Sequence, residues 1–162
     1  MGLVVQTPQG DEWLTKQTQL LERIGRILTA DVIQTPCRED ASIDAILSRK
    51  GEAVALLEVK CRRKTLAEMQ EMGTGLVTAM KLDDGILMAS KLRLPFYVFF
   101  GLSDGIIGYW YICDKYAIKQ LEWDTRRTET KSSVDSIGTV HRLNAFLPMS
   151  KMRILKEPPR AN

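Results

Sequence analysis

Residues 42–64 read SIDAILSRKGEAVALLEVKCRRK. Two apolar runs, 42–48 and 53–61, flank Arg49-Lys50-Gly51-Glu52, and that order of strand and turn chemistry reads as a β-hairpin. Side chains alternate along a strand, so Glu58 and Lys60 share one face while Leu57 and Val59 point to the other. With Gly51 at the centre of a three-residue loop, position 49 opposes 53, and the same register sets Asp44 opposite Glu58. Directly opposed residues have Cβ atoms roughly 4.5–5.5 Å apart, and a slip of one residue would separate the two acids. Facing carboxylates repel each other. A divalent cation removes that conflict, because Mg²⁺ takes a few carboxylate oxygens and completes its shell with water and phosphate oxygens. Lys60 faces the same space, which assembles the parts for metal-assisted phosphodiester hydrolysis. The plainer reading makes both acids edge residues of a half-solvated sheet and Lys60 a weak surface ion-pair partner.

Outward from the hairpin, residues 11–30 carry Leu14, Leu21, Ile24 and Leu28 on one helical face. Glu22 lies beside that stripe. It is spaced i,i+4 from Arg26, which a solvated helix face explains, but it could also reach a cleft at the sheet edge. Gly73 and Gly75 interrupt residues 65–79, so the segment reads as partly irregular with a short strand at 76–78. A second helix is expected over 81–93, ended by Leu94-Pro95. The run PFYVFFGLSDGIIGYWYI then gives two nearly continuous apolar strands around Asp104-Gly105, as in a sheet covered on both faces. Tyr109-Trp110-Tyr111 reads as core strand rather than a stacking platform. Residues 124–136, DTRRTETKSSVDS, read as a mobile polar loop, in which Arg126 and Arg127 are solvated charges. A last strand near 140–147 and a short element before Pro158-Pro159 complete the chain. The expectation is a mixed α/β sheet flanked by helices, in one domain of residues 1–162 with its core at about 11–147.

The bulk properties exclude more than they assign. The chain has 162 residues, 44% hydrophobic, with a formal charge of +3, too mild by itself to identify a nucleic-acid binder. No run of about 18 apolar residues predicts a membrane span. The N-terminus lacks the signature of a secretory signal, and Gln6 stands where myristoylation needs Ser or Thr. Cys37, Cys61 and Cys113 are unclustered, which suits free thiols in a reducing, cytoplasmic setting. His141 is the single histidine, and no CxxC or HxxxH spacing supports zinc, nor does any pairing support a Cys–His nucleophile. Chemistry must therefore rest on carboxylates, lysines and hydroxyls.

Asp44 followed fourteen residues later by Glu58-Val59-Lys60 resembles the D-(x)n-E-x-K signature of the PD-(D/E)XK nuclease superfamily. The order of elements over residues 11–112 is also similar, and is closest in kind to small phage or prophage nucleases and Holliday junction resolvases. Ile43 stands at the nominal proline position. The resemblance implies a restriction-endonuclease-like fold and a Mg²⁺- or Mn²⁺-dependent DNA nuclease leaving 5′-phosphate and 3′-hydroxyl ends, in the host cytoplasm if phage-encoded. It implies metal ligation by Asp44, Glu58 and the Val59 carbonyl, with Lys60 as catalytic lysine and Glu22 as a helix-borne acid holding metal through water. Arg62, Arg63 and Lys64, beside the strand end, would grip phosphates, and Lys81 would face the cleft from the second helix. Nothing in the sequence separates DNA from RNA, and cutting two strands would favour a homodimer. Two other readings stand beside this one. The first is a non-cleaving nucleic-acid or junction binder of the same fold. The second is a structural protein that self-associates through the apolar hairpin at 96–112.

Overall fold

The hairpin closes differently from the expected three-residue loop and still reaches the expected register. In the computed structural model, which describes residues 8–35, 41–131 and 139–160, Lys50 and Gly51 both have left-handed backbones, with φ of 51° and 79°. They form a two-residue turn of the kind that matches strand twist, so Arg49 pairs with Glu52. The register then shifts: Ser48 pairs with Ala53 but Leu47 with Ala55, leaving Val54 as an extra residue. This bulge restores the alignment, and from Leu47–Ala55 to Ala45–Leu57 the pairs run in step. One further step sets Asp44 opposite Glu58. Strand β2 is Ala45–Arg49 and β3 is Glu52–Cys61.

Helix α1 (Pro8–Leu28) precedes the hairpin, and an edge strand not expected from sequence, β1 (Asp31–Gln34), pairs antiparallel with β2. After β3 the chain forms α2 (Leu66–Met72), β4 (Thr74–Thr78) and α3 (Ala79–Leu92) before returning as β5 (Phe96–Gly101) parallel to β3. A parallel return needs such a crossover. Strand β6 (Ile107–Cys113) closes the second hairpin, and the two-residue β9 (Arg153–Ile154) adds to its far side, giving the order β1-β2-β3-β5-β6-β9.

Two segments correct the sequence reading. The supposedly irregular 65–79 contains α2, started by a capping box in which Thr65 and Glu68 satisfy each other's backbone N–H groups, and ended by Gly73 at φ 80°. The short strand expected at 76–78 is the five-residue β4. The supposed loop at 124–136 begins as an eight-residue strand, β7 (Asp124–Lys131), paired along its length with β8 (Thr139–Pro148). Residues 132–138 lie outside the described residues. β4, β8 and β7 form a second, three-stranded sheet.

The first sheet is buried on both faces. Leu57, Val59, Phe99 and Ile107 pack under Leu20, Leu21 and Ile24 of α1. Leu56, Val98, Phe100 and Trp110 pack the other way, against Leu82 and Ala89 of α3 and against Val77, Ala145 and Leu147 of the second sheet. Trp110 is fully buried, with its indole N–H donating to the Pro148 carbonyl at 2.9 Å, so it is core as expected. Strand β5 has both edges paired and is packed on both faces. α3 approaches this sheet at Gly85, where a Cβ would meet the Phe96 ring. Among the described residues no helix is long and apolar enough to cross a membrane.

Candidate active site

At the open end of the hairpin, β2 stops one residue short of continuing the ladder. The Asp44 N–H still donates to the Leu57 carbonyl at 3.0 Å. The next bond is made by a side chain: Asp44 Oδ2 accepts the Val59 N–H at 2.9 Å. The Asp44 carboxylate thus takes the place of a strand carbonyl. Thr35 holds the bend from behind, its N–H donating to the Asp44 carbonyl at 2.9 Å and its hydroxyl meeting the Asp44 and Ile43 carbonyls at 2.8 and 2.6 Å. Residues 36–40, including Cys37, lie outside the described residues.

A strand residue sends its N–H and C=O to the same side. The Val59 carbonyl therefore points, like its N–H, toward Asp44 and past the end of β2. Residues 56, 58 and 60 lie on the face that packs toward α3 and the second sheet, as Leu56 shows. Glu58 is completely buried there. Lys60 Nζ stands 2.8 Å from its Oε1, and among the described residues Oε2 has no hydrogen-bond partner. Burial pushes the Glu58 carboxyl up to about 7. Lys60 opposes that rise, Asp44 adds to it, and Lys81 opposes it weakly. A fully buried carboxylate with one cationic partner and an unpartnered second oxygen is costly.

The structure brings together Asp44, Glu58, Lys60 and the Val59 carbonyl, and it adds Lys81. The Lys81 amine, in the first turn of α3, donates to the Ala41 carbonyl at 2.9 Å, three residues before Asp44. Glu22 is not brought in. It is exposed on α1, which packs on the opposite face of the sheet. Its neighbours are Ser48, Arg49 and Lys50, in an open cleft of about 810 Å³ at the turn end of the hairpin. That end is four strand residues from Asp44, or about 13 Å. The basic run divides. The Arg62 guanidinium donates to the Leu76 carbonyl at 2.6 Å and lies 4.7 Å from the centre of the Phe100 ring, locking β4 to the first sheet. Arg63 and Lys64 are exposed on the bend before α2. His141 lies on β8, exposed, opposite Glu129. Thr35 was missed, since a lone threonine carries no sequence signal for the bend it holds.

The donor set suits a hard divalent cation. Among the described residues no three His, Cys, Asp or Glu side chains gather. Two carboxylates and one carbonyl match an ion that keeps several water or phosphate ligands. The unpartnered Glu58 Oε2 is what such an ion would satisfy.

The family described as phage putative PDDEXK endonuclease matches residues 15–132. No curated protein matches the chain. Among solved structures, Hjc from Archaeoglobus fulgidus, a Holliday junction resolvase from an archaeal hyperthermophile, is similar over 88% of this chain and 85% of that one. The identity is 13% and the TM-score 0.47.

Proposed function

Given that the chain belongs to the phage putative PDDEXK endonuclease family, we propose that it is a Mg²⁺- or Mn²⁺-dependent DNA nuclease whose chemistry sits at the open end of the β2–β3 hairpin. The observation that carries this reading is Glu58: fully buried, opposite Asp44, with Lys60 on one oxygen and, among the described residues, no partner on the other. Asp44, Glu58 and the Val59 carbonyl would hold the cation. When bound, the cation supplies a Lewis acid for the phosphoryl oxygens and an acidified water as nucleophile.

The chain's own groups have distinct tasks. Asp44 keeps one oxygen on the Val59 N–H, which fixes its rotamer and presents the other to the site. Glu58 contributes negative charge in a water-poor setting, where charge interactions are strong. Lys60 pairs with Glu58 in this state. Once that charge is shared with a cation, its amine can turn to a phosphate oxygen or orient the attacking water. Lys81 adds positive potential from the α3 side.

The test is cleavage of supercoiled plasmid, linear duplex, single strand and four-way junction, with Mg²⁺, Mn²⁺ or EDTA. Wild type, Asp44→Asn and Lys60→Ala are run together, beside calorimetric titration of the metal alone. Metal-dependent cutting abolished in both variants, with metal binding lost in Asp44→Asn but kept in Lys60→Ala, is the expected result. Cutting that is unchanged in Asp44→Asn would overturn the assignment.

A further inference from the structure

The ladder between β2 and β3 ends in a way that regular strand pairing does not give. The Leu56 N–H donates to the Pro95 carbonyl at 2.8 Å, on the β5 side. N–H groups alternate between neighbours along a strand, so Leu57 and Val59 turn theirs toward β2. Ala45 pairs with Leu57, and two residues further the same register sets Ile43 opposite Val59. A continued ladder would therefore give the Val59 N–H the Ile43 carbonyl. It takes the Asp44 carboxylate at 2.9 Å instead.

The backbone turns at Asp44. Its N–H goes to the Leu57 carbonyl on β3, while its own carbonyl accepts the Thr35 N–H at 2.9 Å on the β1 side. A regular strand residue sends both groups to one side. The turn carries Ile43 to the other face of the sheet: Ala45 and Leu47 pack under α1, whereas Ile43, two residues earlier, is buried on the side of α3. Having left β3, the Ile43 carbonyl needs a donor elsewhere. The Thr35 hydroxyl supplies it at 2.6 Å and stands 2.8 Å from the Asp44 carbonyl. Thr35 is the first residue past β1, so the short edge strand is what brings this hydroxyl to the bend.

We propose that Thr35 is a positioning residue of the metal site: its hydroxyl holds the Ile43 carbonyl away from β3, which leaves the Val59 N–H to the Asp44 carboxylate and the Val59 carbonyl to the cation; this rests on the nuclease reading above. Thr35 in this role touches neither cation nor substrate. It acts through Asp44, whose second oxygen is presented to the site while the first is pinned on Val59. Without the hydroxyl, the Ile43 carbonyl can return to the Val59 N–H and displace the carboxylate. Groups that orient a metal ligand in this way govern affinity by roughly 10–100-fold. Valine at position 35 keeps the branched shape and the backbone N–H and removes only the O–H, whereas serine keeps the hydroxyl and loses the methyl.

The experiment compares wild type, Thr35→Val and Thr35→Ser by two readouts. In the metal-free protein, NMR detects the scalar coupling across the hydrogen bond between the Val59 nitrogen and the Asp44 carboxyl carbon. Calorimetric titration with Mn²⁺ alone gives the affinity. Thr35→Val should lose the coupling and bind Mn²⁺ roughly 10–100-fold more weakly, while Thr35→Ser keeps both near wild type. The coupling from the Leu56 nitrogen to the Pro95 carbonyl, on the β5 side of the same strand, should survive in all three and reports an intact sheet. Absence of the Val59–Asp44 coupling in wild type would overturn the proposal. So would coupling and affinity unchanged in Thr35→Val, or losses in Thr35→Ser equal to those in Thr35→Val. The nuclease reading is judged separately, by whether wild type cleaves duplex DNA in Mg²⁺ and Asp44→Asn does not. The coupling needs neither metal nor substrate, so either can fail while the other stands.

Discussion

The most exposed consequence of the site is the response of metal-free protein to pH. Glu58 titrates near 7 in the fold, against an ordinary value of 4.5. Its folded form therefore binds a proton more tightly than the unfolded chain does. Below about pH 4.5 both states are protonated and the group's contribution is fully present. As pH rises the unfolded chain ionises first, and stability is lost until the folded pKa is passed. The difference in pKa corresponds to about 3 kcal/mol between pH 4.5 and 8. For a chain of this size that is roughly 6–12 °C in Tm. Other groups titrate over the same range, so the quantity to measure is the difference between wild type and Glu58→Gln. Gln cannot ionise, and its own packing cost is the same at every pH. Urea unfolding in EDTA from pH 5 to 8.5 should show wild type losing roughly 2.5 kcal/mol relative to Glu58→Gln. Mg²⁺ at pH 8 should return stability to wild type and not to the variant. Parallel pH profiles for the two proteins would refute the buried, proton-holding carboxylate on which the proposed site is built.

Other residues give sharper contrasts between site and scaffold. Arg62→Met should cost about 2–3 kcal/mol in chemical denaturation, because it removes the hydrogen bond to the Leu76 carbonyl and the contact with Phe100; metal binding measured below the unfolding transition should persist. Glu22→Gln should leave metal affinity and cleavage at wild-type levels in the plasmid assay, since Glu22 lies at the far end of the hairpin. Gly85→Ala would place a methyl about 2.1 Å from a Phe96 ring carbon, an overpacking expected to cost at least 1–3 kcal/mol and to lower Tm accordingly.

What the sequence made legible, and what it hid, follows from how each feature is encoded. The opposition of Asp44 and Glu58 was readable because register is specified by burial of Ala45, Leu47, Leu57 and Val59 on one face, and a one-residue slip would expose that whole set. The turn was read wrongly and the register rightly for the same reason. Lys50-Gly51 accepts a two-residue turn, which by itself would misalign the strands by one, and the bulge at Val54 absorbs the difference. Strand β7 was hidden because DTRRTETK has no apolar face of its own; Thr125 pairs with Ala145 near its base, and the strand is held by pairing with β8. Helix α2 was legible in principle, since Thr65-x-x-Glu68 is a capping signal and Gly73 a stop, but two glycines outweighed it. Arg62 could not be sorted from Arg63 and Lys64 by charge alone. On the strand's alternation, 62 continues the face of Glu58 and Lys60, which turns its guanidinium inward to a β4 carbonyl while its neighbours stay on the exposed bend. The same alternation that places the acid and lysine of the candidate site also removes one arginine from the expected phosphate grip, which leaves Arg63 and Lys64, exposed on the bend, as the members of that run free to meet substrate.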